Sequence, residues 1–246
     1  MNGKVRHSLR LTAMLYLLDY GAGNIQSLAN SLTKLGYTYE WVREPSDISK
    51  ADKLLFPGVG SFASAMDALH AKGYVEPLRA YIQSGKPLMG ICVGMQVLFE
   101  GSDESPGVQG LGIVPARVGR FATQDALGRK AVPHMGWSLA NVVEWECCAD
   151  QRHELAKSYG MHDANPSHYY FVHSYRVAWD ANVAEWALTT TQYGNEIFVS
   201  SVQHANVFAT QFHPEKSGRA GLDLLAAWLQ LEHVEPTTRV GRPVSS

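Results

Sequence analysis

A chain of 246 residues with 46% hydrophobic content can bury a full core in one domain of α/β size. Its 21 basic and 23 acidic side chains give a formal net charge of −2. They are spread along the chain, so no basic field exists to collect nucleic-acid phosphates or anionic lipid, and no apolar run approaches the length of a membrane span. Three cysteines, two of them adjacent at Cys147 and Cys148, cannot build a disulfide framework and fit a reducing compartment.

Residues 1–13 are basic and carry no acid. The following run, Met14 to Leu18, is too short for a signal segment. It predicts a buried first strand, and residues 1–13 read as an N-terminal extension, either a disordered start or a targeting remnant. A glycine turn follows, then a helical period through Leu28, Leu32 and Leu35 that stops at Gly36. "YTYEWV" and "KLLFPG" predict two more strands, a helical stretch covers Met66 to Ile82 and ends at Gly85, and "KPLMGIC" predicts the next strand. This alternation implies a mainly parallel central sheet with helices on both faces.

Beyond Gly107 the runs are short and alternating ("YYFVHSYRV", "ALTTTQYG", "EIFVSSVQ", "VFATQF"), which predicts antiparallel hairpins. A last helix is expected over about 218–233, with Leu222, Leu225, Ala226 and Leu229 on one face and Ser217 as N-cap. "VEPTTRVGRPVSS" then reads as a tail or linker over 234–246. The stretch 141–168, with Cys147, Cys148, His153 and His162, carries no motif. No histidine shows metal-ligand spacing, so no metal is expected.

Two places carry chemistry. Gly90-Ile91-Cys92-Val93-Gly94 has the spacing of a nucleophile elbow, in which a sharp strand-to-helix turn raises the reactive side chain at the sheet's carboxyl edge. A helix start beside the sulfur favours thiolate, and the amide of Val93 points where an oxyanion would form. A packed core cysteine between glycines fits this motif equally well. The second place is "VFATQFHPEKSG", where a strand delivers His213 and Glu215. Pro214 blocks a helix entry and biases His213 toward extended geometry, so the two side chains, two residues apart, point to one side. A carboxylate beside an imidazole is the third role of a Cys-His-acid triad. Alone, His-Pro-Glu reads as a turn with a solvated acid; joined to an elbow cysteine in an α/β chain, it shifts the balance to catalysis.

"DYGAGN" (19–24), "PGVGSF" (57–62), "GICVGMQVLFEGSDE" (90–104), "PHMGW" (133–137), "YFVHSY" (170–175), "TTQYG" (190–194) and "QFHPEKSG" (211–218) together resemble the class I, triad-type glutamine amidotransferases. Within them the chain resembles the histidine-biosynthesis branch, the glutaminase part of imidazole glycerol phosphate synthase. The elbow and His-Pro-Glu indicate the superfamily; "PGVGSF", "PHMGW" and "YFVHSY" single out the branch. "GICVGMQVLFEGS" and "ATQFHPEKSGRAGL" look most like the eukaryotic form, in which the glutaminase is fused ahead of a cyclase barrel.

The resemblance implies a flavodoxin-like α/β fold over 14–233 with a smaller antiparallel sheet. It implies an enzyme that hydrolyses L-glutamine through a γ-glutamyl thioester on Cys92, with His213 relaying protons and Glu215 orienting it. No cofactor is implied. Oxyanion donors would come from Gly58, Val59, Gly60 and Val93, and glutamine would be selected by Gly60, Gln96, Glu104, Tyr170, His173, Ser174 and Tyr175. Ammonia would pass to a (βα)8-barrel cyclase, separate or fused, that forms imidazole glycerol phosphate and AICAR nucleotide. Asn24, Ser27, Trp137 and Lys216 would face that barrel, and Ser138 stands where the family usually has asparagine. The implied compartment is the cytoplasm, or a plastid if the N-terminus is a targeting remnant. Two other enzyme readings are the glutaminase of another class I branch and a related α/β cysteine hydrolase such as γ-glutamyl hydrolase. A non-enzymatic binding subunit would require a broken triad, and the three positions are intact.

Overall fold

The computed structural model describes residues 13–21, 25–126, 128–143, 149–161 and 167–231. Its first half alternates: β1 (Leu15–Leu18), α1 (Gln26–Lys34), β2 (Glu40–Val42), α2 (Pro45–Lys50), β3 (Lys53–Gly58), α3 (Phe62–Ala71), α4 (Val75–Gln83), β4 (Leu88–Cys92) and the short α5 (Val93–Gln96). The second half is strand-rich. It runs through β5 (Phe99–Ser102), β6 (Val114–Arg120), β7 (Gln124–Asp125), β8 (Gly128–Arg129), β9 (His134–Leu139) and β10 (Asn141–Val142) to α6 (Ala149–Ser158). Then come β11 (His168–His173), β12 (Tyr175–Arg176), β13 (Ala187–Tyr193), β14 (Glu196–His204) and β15 (Val207–Thr210), a 3-10 turn at Pro214–Lys216, and α7 (Gly218–Gln230).

Eight strands form one sheet in the order β10-β13-β14-β15-β4-β3-β1-β2. From β2 to β15 neighbours run parallel, and from β15 to β10 antiparallel. Every residue of β1, β3, β4 and β15 is buried, as largely apolar strands covered on both faces should be. Hairpins form between β13 and β14 and between β14 and β15, but they extend the main sheet rather than standing apart, because β15 also pairs parallel with β4; "YYFVHSYRV" forms no hairpin and splits into β11, paired with β9, and β12, paired with β6. The smaller sheets are β9 with β11, β12-β6-β5, and β7 with β8.

Three expectations change. The strand expected over "YTYEWV" shrinks to three residues, because β1 offers it partners only at Tyr16, Leu17 and Leu18. The single helix expected over Met66 to Ile82 is two, broken where Gly73 turns to φ +67°, a conformation that interrupts the helical ladder at little steric cost to glycine. The buried face of α7 is Gly221, Leu224, Leu225, Trp228 and Leu229; Leu222 and Ala226 are half-buried. Trp228, a large apolar side chain that the expected face omitted, sets the rotation. In the stretch read as motif-free, Tyr159 stacks on Phe208 with centroids 4.3 Å apart and donates to Gln203. Cys147, Cys148 and His162 lie outside the described residues, as do residues 1–12 and 232–246.

Lys53 opens β3 from inside the core, with 8% of its surface exposed. Its ammonium donates to the carbonyls of Trp228, Leu229 and Leu231 at 3.3, 2.6 and 2.6 Å, and so closes the carbonyl end of α7. Burial pushes its pKa down. Lys53→Met is expected to strip these carbonyls of their shared donor and destabilise the chain by about 1–3 kcal/mol. Urea unfolding checks this: the midpoint should fall at unchanged slope, and an unmoved midpoint would dismiss Lys53 as a structural clamp.

Candidate active site

Sheet order brings the chemistry together. The central strand β4 ends at Cys92, with Gly58 of β3 paired directly to it. On its other side Thr210 of β15 pairs with Ile91, so the chain leaving β15 reaches the same edge and delivers His213. Three adjacent parallel strands thus converge with their carboxyl ends at one place, the usual location of sites in α/β sheets.

Cys92 adopts φ +56° and ψ −110°, a conformation that costs a non-glycine residue of order 1–3 kcal/mol and persists only where the surroundings enforce it. The enforcement is close packing: a Cβ on Gly94 would lie 1.9 Å from the carbonyl oxygen of Phe56. Only glycine lets α5 start so near β3. Val93 is the first residue of α5, where helix amides have no partner within the helix.

His213 is 2% exposed. Its Nδ1 lies 2.8 Å from Glu215 Oε1, and its backbone amide donates to the Tyr170 carbonyl at 2.9 Å. Burial opposes the imidazolium but is outweighed by the neighbouring Cys92 sulfur and by the Glu215 carboxylate, which together raise the His213 pKa well above its ordinary range. The second Glu215 oxygen is buried without a protein donor among the described residues. Pro214 does not prevent a helical turn, as expected from sequence, but opens a 3-10 turn, since proline is tolerated at a first position. That turn, rather than strand alternation, swings Glu215 onto His213. Ser217 does not cap α7 through its side chain; it donates to the His213 carbonyl at 2.6 Å and accepts from the Tyr170 amide at 2.9 Å.

A cavity of about 410 Å³ opens above the sulfur, lined by Val59, Gly60, Cys92, Val93, Gln96, Glu104, Pro133, Val172, His173, Ser174, Tyr175, His213 and Lys216. Most residues assigned by resemblance to glutamine selection therefore line one space. Tyr170 does not: its ring meets Trp137, with centroids 6.0 Å apart. Glu104 accepts from the Phe62 amide at 2.8 Å, which fixes a carboxylate in the wall where an ammonium group can reach it. The Val59 carbonyl accepts from the Tyr20 hydroxyl at 3.3 Å, and Gly60 has φ +96°, so the peptide joining them points its N–H away from Tyr20.

A second histidine, His173, also lines the cavity, but both its nitrogens are committed, to the Tyr175 carbonyl at 2.8 Å and to His134 at 3.3 Å. Burial first, with Tyr175, His134 and His213 as lesser influences, leaves its pKa at about 3. It is neutral, and His213 is the imidazole that meets the sulfur.

Of the expected partner-facing residues, Trp137 is 54% exposed and Met135 beside it on β9 is 62% exposed. Ser27 is half-buried on α1, and Asn24 lies outside the described residues. Sequence reading passed over Gln211, Tyr20 and His134. Gln211 and Tyr20 stood inside quoted motifs, and His134 inside "PHMGW", but nothing local marked their partners.

Fold and site define a class: an α/β sheet whose central strand ends in an elbow cysteine, faced by a histidine and its acid. The chain belongs to the class I glutamine amidotransferase family, whose profile, Glutamine amidotransferase class-I, matches residues 16–229. It is 45% identical over 218 residues to imidazole glycerol phosphate synthase hisHF of Emericella nidulans, covering 87% of this chain and 37% of that protein. The chloroplastic hisHF of Arabidopsis thaliana is 44% identical over 225 residues, covering 92% of this chain and 35% of that one. Little more than a third of these two relatives is thus spanned. Imidazole glycerol phosphate synthase subunit HisH of Methanothermobacter thermautotrophicus is 41% identical over 218 residues, covering 89% of this chain and 98% of that subunit. Among solved structures, PurLQS from Thermotoga maritima superposes with TM-score 0.59 at 17% identity, covering 89% of this chain and 98% of that one, a likeness of fold.

Proposed function

We propose that this chain is the glutaminase part of an imidazole glycerol phosphate synthase, releasing ammonia from L-glutamine for a cyclase barrel that forms imidazole glycerol phosphate and AICAR nucleotide. The observation that carries the reaction is the convergence of Cys92, His213 and Glu215 at the ends of adjacent strands, with Nδ1 of His213 2.8 Å from Glu215.

The Cys92 sulfur attacks the side-chain amide carbon, and the developing oxyanion takes donors from the Val93 amide and the Gly58–Gly60 segment. His213 gives its proton to the departing nitrogen, so ammonia leaves and a γ-glutamyl thioester remains. Water then attacks with His213 as base, releasing glutamate and restoring the sulfur. Glu104 fits the substrate ammonium. The barrel docks on the outer face of β9, where Met135 and Trp137 are exposed and an exposed tryptophan can anchor an interface. Lys216, at the cavity wall, Ser27 and Asn24 are the other residues that the family resemblance assigns to the partner. The domain bounds are 14–233, between a leading extension and a trailing tail or linker.

Steady-state glutamate release, assayed with a cyclase barrel bound, tests the reading. L-Glutamine is turned over and γ-glutamyl peptides are not; the reverse preference would make the chain a γ-glutamyl hydrolase. In the same assay Glu215→Gln lowers turnover less than loss of Cys92 does, because Glu215 orients His213 without bonding to substrate. Undiminished turnover in that variant would remove Glu215 from the triad.

A further inference from the structure

Behind the sulfur lies a buried hydrogen-bonded chain whose polarity can be worked out atom by atom. It begins at the Tyr175 carbonyl, which can only accept. Gln96 meets that oxygen at 3.1 Å and must therefore present its amide nitrogen. The same nitrogen lies 2.9 Å from the Gln211 side chain; two NH2 groups cannot face each other, so Gln211 presents its oxygen. The Gln211 NH2 is then turned to Cys92, with Nε2 3.7 Å from Sγ. A flip of either amide would set donor against donor or acceptor against acceptor.

The Tyr175 carbonyl is itself pinned from the other side. His173 donates to it from Nδ1, which leaves Nε2 of neutral His173 to accept from Nδ1 of His134, and Nε2 of His134 to accept from the Ser138 hydroxyl at 3.0 Å. Burial, with Lys130 nearby, keeps His134 neutral, its pKa at about 4. Ser138 thus has an inward partner. Gln211 is 1% exposed and Gln96 4%, and Gln211 is not part of the cavity wall, so its amide serves the sulfur rather than the substrate.

We propose that Gln211 is a positioning residue for the nucleophile: Gln96 and the Tyr175 carbonyl fix its amide so that an N–H donor always faces Cys92 Sγ, holding the sulfur in place and stabilising its anionic form. The proposal deepens the glutaminase reading and rests on it for its kinetic consequence. Its first test does not.

Alkylation of Cys92 by iodoacetamide reads the sulfur directly, without glutamine. Gln211→Glu keeps an acceptor for Gln96 and puts an oxygen in place of the donor at the sulfur. Gln211→Met removes both contacts at similar volume. In full-length chains with native circular dichroism, both are expected to alkylate roughly 10–100-fold more slowly than wild type, the range for a hydrogen bond to a charged group. Structural loosening has the opposite sign, since Cys92 is 5% exposed and opening the site speeds its modification. In the barrel complex kcat for glutamine should fall by a similar factor with KM little changed. A native-like Gln211→Met chain that alkylates at the wild-type rate or faster overturns the proposal, whether or not the glutamate variant folds. Absence of glutamine turnover in the wild-type complex would overturn the functional reading and leave the alkylation comparison standing.

Discussion

Cys92→Ala is expected to abolish glutamine-dependent cyclisation, lowering glutamine hydrolysis by about 10⁴–10⁶, while the same complex still cyclises with added ammonium salt. In the proposed mechanism the thiol is needed only to make ammonia, because the covalent step would be the attack of Sγ on the side-chain amide. The substitution should also be well tolerated by the fold. Alanine removes one buried sulfur at the edge of the sheet, and the strained φ of +56° is enforced by the backbone packing of Gly94 against Phe56 rather than by the thiol. Paired assays with glutamine and with ammonium salt check the division. Loss of both activities with the complex intact would mean that Cys92 serves more than ammonia production.

The isolated chain should hydrolyse glutamine slowly, and a cyclase barrel carrying its nucleotide ligand should raise turnover by roughly 10²–10³, the worth of one oxyanion-hole donor at about 2.7–4 kcal/mol. The structure places a restraint where such a donor would be controlled. The Val59 carbonyl is held by Tyr20 at 3.3 Å, in a segment flanked by Gly58 and Gly60, whose backbones can exchange peptide orientations at low cost. The Tyr20 hydroxyl stays a donor, because burial, and then the nearby Cys92, push its pKa upward. Docking on the β9 face would bias the orientation of this segment. KM should change less than kcat, since the reoriented amide meets the transition state more than the ground state. Glutaminase kinetics of the chain alone, with barrel, and with barrel plus ligand check this; a full rate in the chain alone would remove the switch.

What the sequence determined by itself were the features encoded over a few neighbouring residues. The glycine spacing around Cys92 permits a sharp elbow whatever surrounds it, His-Pro-Glu sets an extended histidine before a turn, and unbroken apolar runs imply strands buried on both faces. From these the α/β fold, the placement of Cys92 at a strand end and its pairing with His213 and Glu215 were legible. Even so, local reading assigned the His213–Glu215 contact to strand alternation, where a 3-10 turn makes it, and ran two helices together across Gly73. Tertiary structure decided the rest, because its partners lie far apart in the chain. Gln211 reaches Cys92 across 119 positions and Gln96 reaches Gln211 across 115, distances over which periodicity carries no information. Only the strand order, with β4 between β3 and β15, makes them neighbours. The same holds for Lys53, which reads as a polar strand start until the end of α7 is folded over it. Periodicity encodes which side of an element is buried, while the hydrogen-bond partner of a buried polar group is set by which elements the sheet places side by side.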